Sequence, residues 1–252
     1  MIFKKLFKKE NSKKILLVSL QKSGTHLIHK VMEEAGFIGR GVGKGCTISD
    51  FRELKNNEYL WSHFAPSDEV QMALEEGNRS VYIVFNFRDP RDVLVSWFHW
   101  THPNNQNIMH SHQRYMQKVY GHFNDDELIE IFIKNEKFRE VEYNPIEHFR
   151  WSRILYFHPG VLNVRFEDLV GSKGGGSDDK QLETIKNIFE YLDVDGVDPK
   201  KITRNIFDEG SPTFRKGMIG GYKESLSKEQ LKLFNQLHGD VIEQYGYELD
   251  EV

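Results

Sequence analysis

Cysteine is almost absent from this chain: Cys46 stands alone among 252 residues. A single thiol cannot close an intramolecular disulfide, so nothing asks for an oxidising compartment, and a reducing cytoplasm is the expectation. Long apolar runs are missing too. No stretch approaches the roughly 20 residues that cross a bilayer, and the basic start from Met1 to Lys14 has no apolar core of secretory-signal length. Nor is one sign of charge in large excess. The 34 Lys and Arg against 38 Asp and Glu leave a formal net charge of -4, which removes the electrostatic case for a nucleic-acid partner. Any anion site must be local. At the start, Ile2, Phe3, Leu6 and Phe7 lie among Lys4, Lys5, Lys8 and Lys9. That spacing is compatible with membrane-surface contact through residues 1–14, but the reading adopted is a flexible basic terminus over residues 1–13.

What is present suits one domain over residues 1–252, with 38% hydrophobic and 13% aromatic residues to fill a core. Lys14-Ile15-Leu16-Leu17-Val18-Ser19 is a short apolar run rich in branched residues and reads as a buried strand. A helix should follow from Thr25 to Ala35, where Leu27, Ile28, Val31, Met32 and Ala35 recur at helical spacing and Gly36 stands at the stop. The stretch Gly36 to Gly45 reads as a flexible connection. Ser80 to Asn86 is a second buried strand, and Pro90 is placed to open a helix running towards Trp100. Val161 to Phe166 is a third strand and Lys180 to Leu192 a third helix, with a mobile-looking segment from Gly171 to Asp179 between them. Strands alternating with helices predict an α/β fold with a mostly parallel central sheet flanked by helices. The region of about 101–155, His-rich and then helical in pattern, reads as an insertion covering the acceptor end of the sheet.

Three motifs carry chemistry. Ser19-Leu20-Gln21-Lys22-Ser23-Gly24-Thr25-His26 lies between a strand and a helix. Glycine permits a tight turn, the helix start offers N–H groups, and Lys22 with the hydroxyls of Ser23 and Thr25 can grip phosphate oxygens. The G-x-x-x-x-G-K-[ST] pattern is absent, and by itself the loop is equally an ordinary strand-to-helix turn. Arg88-Asp89-Pro90-Arg91-Asp92-Val93-Leu94-Val95-Ser96 leaves the end of a strand. Arg88 and Ser96 can meet one phosphate, or Arg88 and Asp92 can be a structural turn pair. Phe214-Arg215-Lys216-Gly217 sets two cations before flexible glycines, which is either an anion wrap or solvated surface.

In this order the motifs resemble the family of sulfotransferases dependent on 3′-phosphoadenosine 5′-phosphosulfate (PAPS), and the resemblance spans most of the chain. Val164-Arg165-Phe166-Glu167-Asp168-Leu169 and Asn205-Ile206-Phe207 are similar to further family segments. The resemblance implies a P-loop-like 5′-phosphosulfate loop after the first strand. Lys22 would contact the bridging oxygen, while Ser23, Gly24, Thr25 and His26 hold the 5′-phosphate. Arg88, Ser96, Arg215, Lys216 and Gly217 would hold the 3′-phosphate, and Phe166 and Phe207 would flank adenine. Core packing is the other reading of both phenylalanines. Trp61-Ser62-His63-Phe64-Ala65-Pro66 matches the family's catalytic-histidine segment, so the resemblance makes His63 the general base beside the catalytic cation Lys22. His99, His102, His110 and His112 match less well and read as lid or surface residues.

There are departures from the family pattern. His26-Leu27 stands where the family often has Thr-Trp, Trp61 replaces a lysine that can assist catalysis, and Gly221-Tyr222 replaces a frequent Asp-Trp. Other readings are a nucleotide or nucleoside kinase, which wants a fuller Gly-Lys-Ser/Thr loop and a Mg²⁺-holding carboxylate, and a PAPS-binding module weak in catalysis. No metal is expected, because the histidines show no ligand spacing with Cys46, and Asp89 and Asp92 read as turn and helix-start residues. The expected acceptor is a small-molecule hydroxyl or amine, with carbohydrate, peptide tyrosine and lipid acceptors left open and Trp97, Trp100 and Trp151 either lining its pocket or lying in the core. Oligomeric state stays open.

Overall fold

The computed structural model describes residues 13–42, 46–75, 81–106, 111–136, 145–207 and 217–251. The expected basic terminus over 1–12, residues Gly43 to Gly45, Ser80, His110 and the segment Phe214-Arg215-Lys216 lie outside them. The chain divides into two compact units: Met1–Phe87 with Trp151–Asp208, and Arg88–Arg150 with Glu209–Val252.

The first unit is built on five parallel strands in the order β2-β3-β1-β4-β5. They are β1 (Lys14–Ser19), β2 (Ile38–Gly41), β3 (Glu58–Ser62), β4 (Val81–Phe87) and β5 (Val161–Arg165). This is the expected α/β class. In β1, Ile15, Leu16, Leu17 and Val18 are all at most 1% exposed, which is why the strand reads as a continuous apolar run. Helix α1 (Thr25–Glu34) buries Leu27, Ile28, Val31 and Met32 along one stripe. It ends where Gly36 turns left-handed at φ 87, with Phe37 N–H donating to Met32 O and Gly36 N–H to Glu33 O. Helices α2 (Ile48–Arg52) and α3 (Asp68–Glu75) precede β3 and β4 in turn. The order of strands reverses at β1, so the loop after β1 leaves the carboxyl end of the central strand, where open parallel sheets bind ligands.

Three local expectations need correction here. The stretch Gly36 to Gly45 is not simply a connection, because it contains β2. Two glycines of β2 sit close under aromatic rings: a Cβ on Gly39 would lie 2.8 Å from the Tyr59 hydroxyl, and one on Gly41 would lie 3.0 Å from Trp61 Cζ2. The segment Gly171 to Asp179 is a knotted turn and not a loose link. Gly171 O accepts from Gly176 N–H at 2.8 Å, and the Asp178 carboxylate accepts from the Ser172 N–H at 2.8 Å and its hydroxyl at 3.0 Å. Phe166, expected to end the third strand, instead opens helix α9 (Phe166–Leu169). The later helices of this unit are α10 (Asp178–Leu192) and α11 (Pro199–Thr203).

The second unit is helical. Helix α4 (Pro90–Thr101) starts with Pro90 and has Asp89 as its cap, accepting from Arg91 N–H at 2.9 Å. The region of about 101–155 holds α5 (Ser111–Tyr120), α6 (Asp125–Lys134), α7 (Pro145–Trp151) and, re-entering the first unit, α8 (Arg153–Phe157). Helix α12 (Lys228–Gln244) opens with a Ser227–Gln230 capping box and packs on α6, where His238 Nε2 donates to Ile133 O at 2.6 Å. Among the described residues no helix is long and apolar enough to cross a membrane.

Candidate active site

In the first unit the loop after β1 is built by reciprocal backbone and side-chain bonds. Leu20 N–H donates to Asn86 O at 3.0 Å, and Ser23 N–H donates to Leu20 O at 3.2 Å. The Asn86 amide donates to Ser19 Oγ at 2.9 Å and to Ser23 O at 3.0 Å, while Ser19 Oγ and Thr25 Oγ1 lie 2.8 Å apart. Asn86, which the sequence reading treated only as the end of a strand, is thus the brace of the loop.

Backbone handedness alternates here. Lys22 has φ 65 and Gly24 φ 82, with Ser23 between them in the ordinary region. A left-handed lysine costs roughly 1–2 kcal/mol. The alternation turns successive N–H groups to one side, the pattern of an anion-binding nest. Gly24 is the cap position of α1 and supplies no side-chain bond, so no capping side chain competes for the amides of the first turn. The Ser23 hydroxyl is fully buried and finds no hydrogen-bond partner among the described residues. Phe166 is 4% exposed and presses its ring edge on the loop: a Cβ added to Gly24 would sit 2.5 Å from Phe166 Cδ2. Gly24 is therefore doubly required, by its φ and by the ring. Phe207 has the Lys173 ammonium 5.8 Å from its ring centroid.

His63 follows β3, and its Nδ1 lies 2.7 Å from Ser19 O. A carbonyl only accepts, so this bond places the hydrogen on Nδ1 and leaves the lone pair on Nε2. Burial lowers the His63 pKa below its usual value; the Ser19 bond opposes that shift, and the neighbouring Lys22 and His26 reinforce it. Trp61 stands edge-on to His63, with ring centroids 5.4 Å apart.

The sequence reading missed His29 and Tyr59. The His29 Nδ1 is hydrogen-bonded to the Tyr59 hydroxyl, and its ring stands edge-on to Trp61 at 4.9 Å. Burial lowers the His29 pKa to about 4, assisted by His26 and His63. The available signal was spacing: His26 and His29 are three apart on a helix, and Tyr59 and Trp61 alternate along β3 with His63 two residues further on.

In the second unit Arg88 is 8% exposed. Its Nη2 donates to Asp92 Oδ2 at 3.1 Å and to Met218 O at 2.6 Å. Asp92 also accepts from Gly220 N–H at 2.9 Å and Tyr222 N–H at 3.0 Å. Ser96 is half-buried on α4, and Gly217 is left-handed at φ 61. Arg215 and Lys216 lie outside the described residues, so nothing is placed for them. His102 caps α4 and pairs with Asp125 at 2.9 Å, whereas Trp97 is core at 1% exposed and Trp151 is 59% exposed. Among the described residues no His, Cys, Asp and Glu group has metal-holding geometry.

No protein-family model matches the chain, and no curated protein matches it. Among solved structures, mouse sulfotransferase SULT7A1 complexed with PAP aligns at a TM-score of 0.62 and 18% identity, covering 92% of this chain and 84% of that one. Retinol dehydratase in complex with retinol and PAP aligns at 0.49 and 16% identity, over 95% of this chain and 83% of that one. The likeness to SULT7A1 carries the assignment of architecture: this chain has the fold of a sulfotransferase.

Proposed function

We propose that the protein transfers a sulfuryl group from PAPS to a hydroxyl or amine of a small-molecule acceptor. The observation that carries this reading is the bond from His63 to the carbonyl of Ser19, because Ser19 opens the loop that holds Lys22. One hydrogen bond thereby ties the base to the cation loop.

The loop fits a phosphosulfate chemically, with its alternating backbone, uncapped helix start and a buried hydroxyl lacking a partner among the described residues. In this reading Lys22, Ser23, Gly24, Thr25 and His26 bind the 5′ end, Arg88, Ser96, Arg215, Lys216 and Gly217 bind the 3′-phosphate, and Phe166 and Phe207 flank adenine. PAPS supplies the sulfuryl group. Its bond to the bridging oxygen breaks as the bond to the acceptor oxygen or nitrogen forms, and adenosine 3′,5′-bisphosphate (PAP) leaves. Lys22 neutralises the charge gathering on the bridging oxygen. His63 takes the acceptor proton on Nε2 while Nδ1 stays bonded to Ser19 O, so the imidazolium forms without the ring turning.

The test is transfer of label from [³⁵S]PAPS to a panel of phenols, alcohols and amines, measured across pH. A base must be neutral to act, and the His63 pKa lies below the usual 6.5. The rate should therefore rise with pH through a limb below 6.5 and be flat through neutrality. A limb at or above 6.5, or label appearing only in inorganic sulfate, would count against this assignment.

A further inference from the structure

The segment Gly217–Glu224 has little intrinsic reason to hold one shape. Gly217 and Gly220 are left-handed, at φ 61 and 72, and its only regular element is a single 3₁₀ turn, Gly221–Glu224. External ties fix it. Two have been described, from Arg88 to Met218 O and from Asp92 to the amides of Gly220 and Tyr222. A third centres on Asp250, a residue far from every motif.

Arg91 is 3% exposed and uses its guanidinium in three directions. Nε and Nη2 hold Asp89 at 3.0 and 2.7 Å, Nη1 holds Asp250 Oδ2 at 2.7 Å, and the group lies 4.4 Å from the centroid of the Tyr222 ring. The other oxygen of Asp250 meets Lys223 Nζ at 3.3 Å. The Asp250 backbone carbonyl is anchored by Asn235 Nδ2 at 3.1 Å, which ties it to α12. Asp250 thus joins a cation of α4 to a cation of the segment, with Tyr222 in contact with both cations. Burial would raise the Asp250 pKa; the Tyr222 hydroxyl, Arg91 and Lys223 outweigh it and hold the carboxyl below the usual range.

We propose that Asp250 is a positioning residue that, through Arg91, Tyr222 and Lys223, holds residues 217–224 and with them the Arg88 guanidinium bonded to Met218 O, and so sets selectivity for a nucleotide bearing a 3′-phosphate. The inference rests on the reading of Arg88 and Gly217 as 3′-phosphate residues. It assigns no contact between Asp250 and the nucleotide.

The test compares PAP with AMP by calorimetry on the wild type, Asp250→Asn and Lys223→Ala, with amide hydrogen exchange over 217–224. Loss of a charge-assisted tie predicts that Asp250→Asn weakens PAP binding by about tenfold, with AMP binding unchanged and faster exchange at Gly220 and Tyr222. Lys223 is largely exposed, so Lys223→Ala carries little folding risk and should shift the same ratio by a smaller factor. A merely structural role would lower affinity for both nucleotides together, and that result, or an unchanged ratio in both variants, overturns the inference alone. A wild type that does not discriminate PAP from AMP overturns the underlying reading, and the inference with it.

Discussion

Replacing His63 with alanine is expected to lower the transfer rate by roughly 10² to 10⁴-fold, the range for a positioned acid–base group, while PAP affinity stays near that of the wild type. The expectation follows from what the ring touches. Its Nδ1 is bonded to a main-chain carbonyl, and that carbonyl belongs to the end of β1, a strand held by β3 and β4 on either side. Losing the ring removes a proton acceptor without dismantling the loop. A histidine that served only packing would behave otherwise: truncation would lower the melting temperature and nucleotide affinity together. Melting temperature, PAP affinity and single-turnover rate on one preparation separate the two cases. Near wild-type turnover would move the base elsewhere, and His29 is the first alternative because it shares the Trp61 ring with His63.

Replacing Lys22 with alanine should reduce turnover more than it weakens PAP binding. In the proposed transfer the charge facing Lys22 grows as the bridging oxygen takes up electrons, so its contribution is largest in the transition state; removal of one such electrostatic group costs roughly 10² to 10³-fold in kcat. The backbone adds a second effect. Alanine at φ 65 keeps the left-handed penalty while losing the ammonium, so Lys22→Gly is the better control: it relieves the strain but still lacks the charge. Both variants should be slow. Wild-type turnover at saturating donor, with PAP binding lost, would make Lys22 a binding residue only.

How far the sequence revealed this architecture depended on how local each cause was. The strands β1 and β4 and the helices α1, α4 and α10 were legible because burial on both strand faces, or on one helical stripe, leaves its pattern in consecutive residues, and β5 was legible from its branched residues Val161 and Val164. Strands β2 and β3 were not. Ile38-Gly39-Arg40-Gly41 has no apolar run, and it is a strand through its parallel pairing with β3, some 20 residues on, whose Tyr59 and Trp61 lie against its glycines. The triple glycine at Gly174 looked loose because the Asp178 carboxylate and the Gly171 carbonyl that close it give no periodic signal. At the site the residue types of the loop were readable, but the left-handed Lys22, the brace from Asn86 and the His29–Tyr59 bond are matters of backbone angle and long-range pairing. The ties from Asp92 and Asp250 to Gly220–Lys223 join positions tens to more than a hundred residues apart, beyond any spacing rule.

The central claim is that the chain binds a nucleotide carrying phosphates at both the 3′ and 5′ positions, as a PAPS-dependent transferase must. Calorimetric titration of the wild-type protein with PAP and, separately, with AMP tests it without knowledge of the acceptor. The proposed charge-assisted bonds from Arg88, Arg215 and Lys216 to the 3′-phosphate predict PAP binding at least about a hundredfold tighter than AMP, and a preference that shrinks as salt is raised. Equal affinities for the two nucleotides would contradict the account.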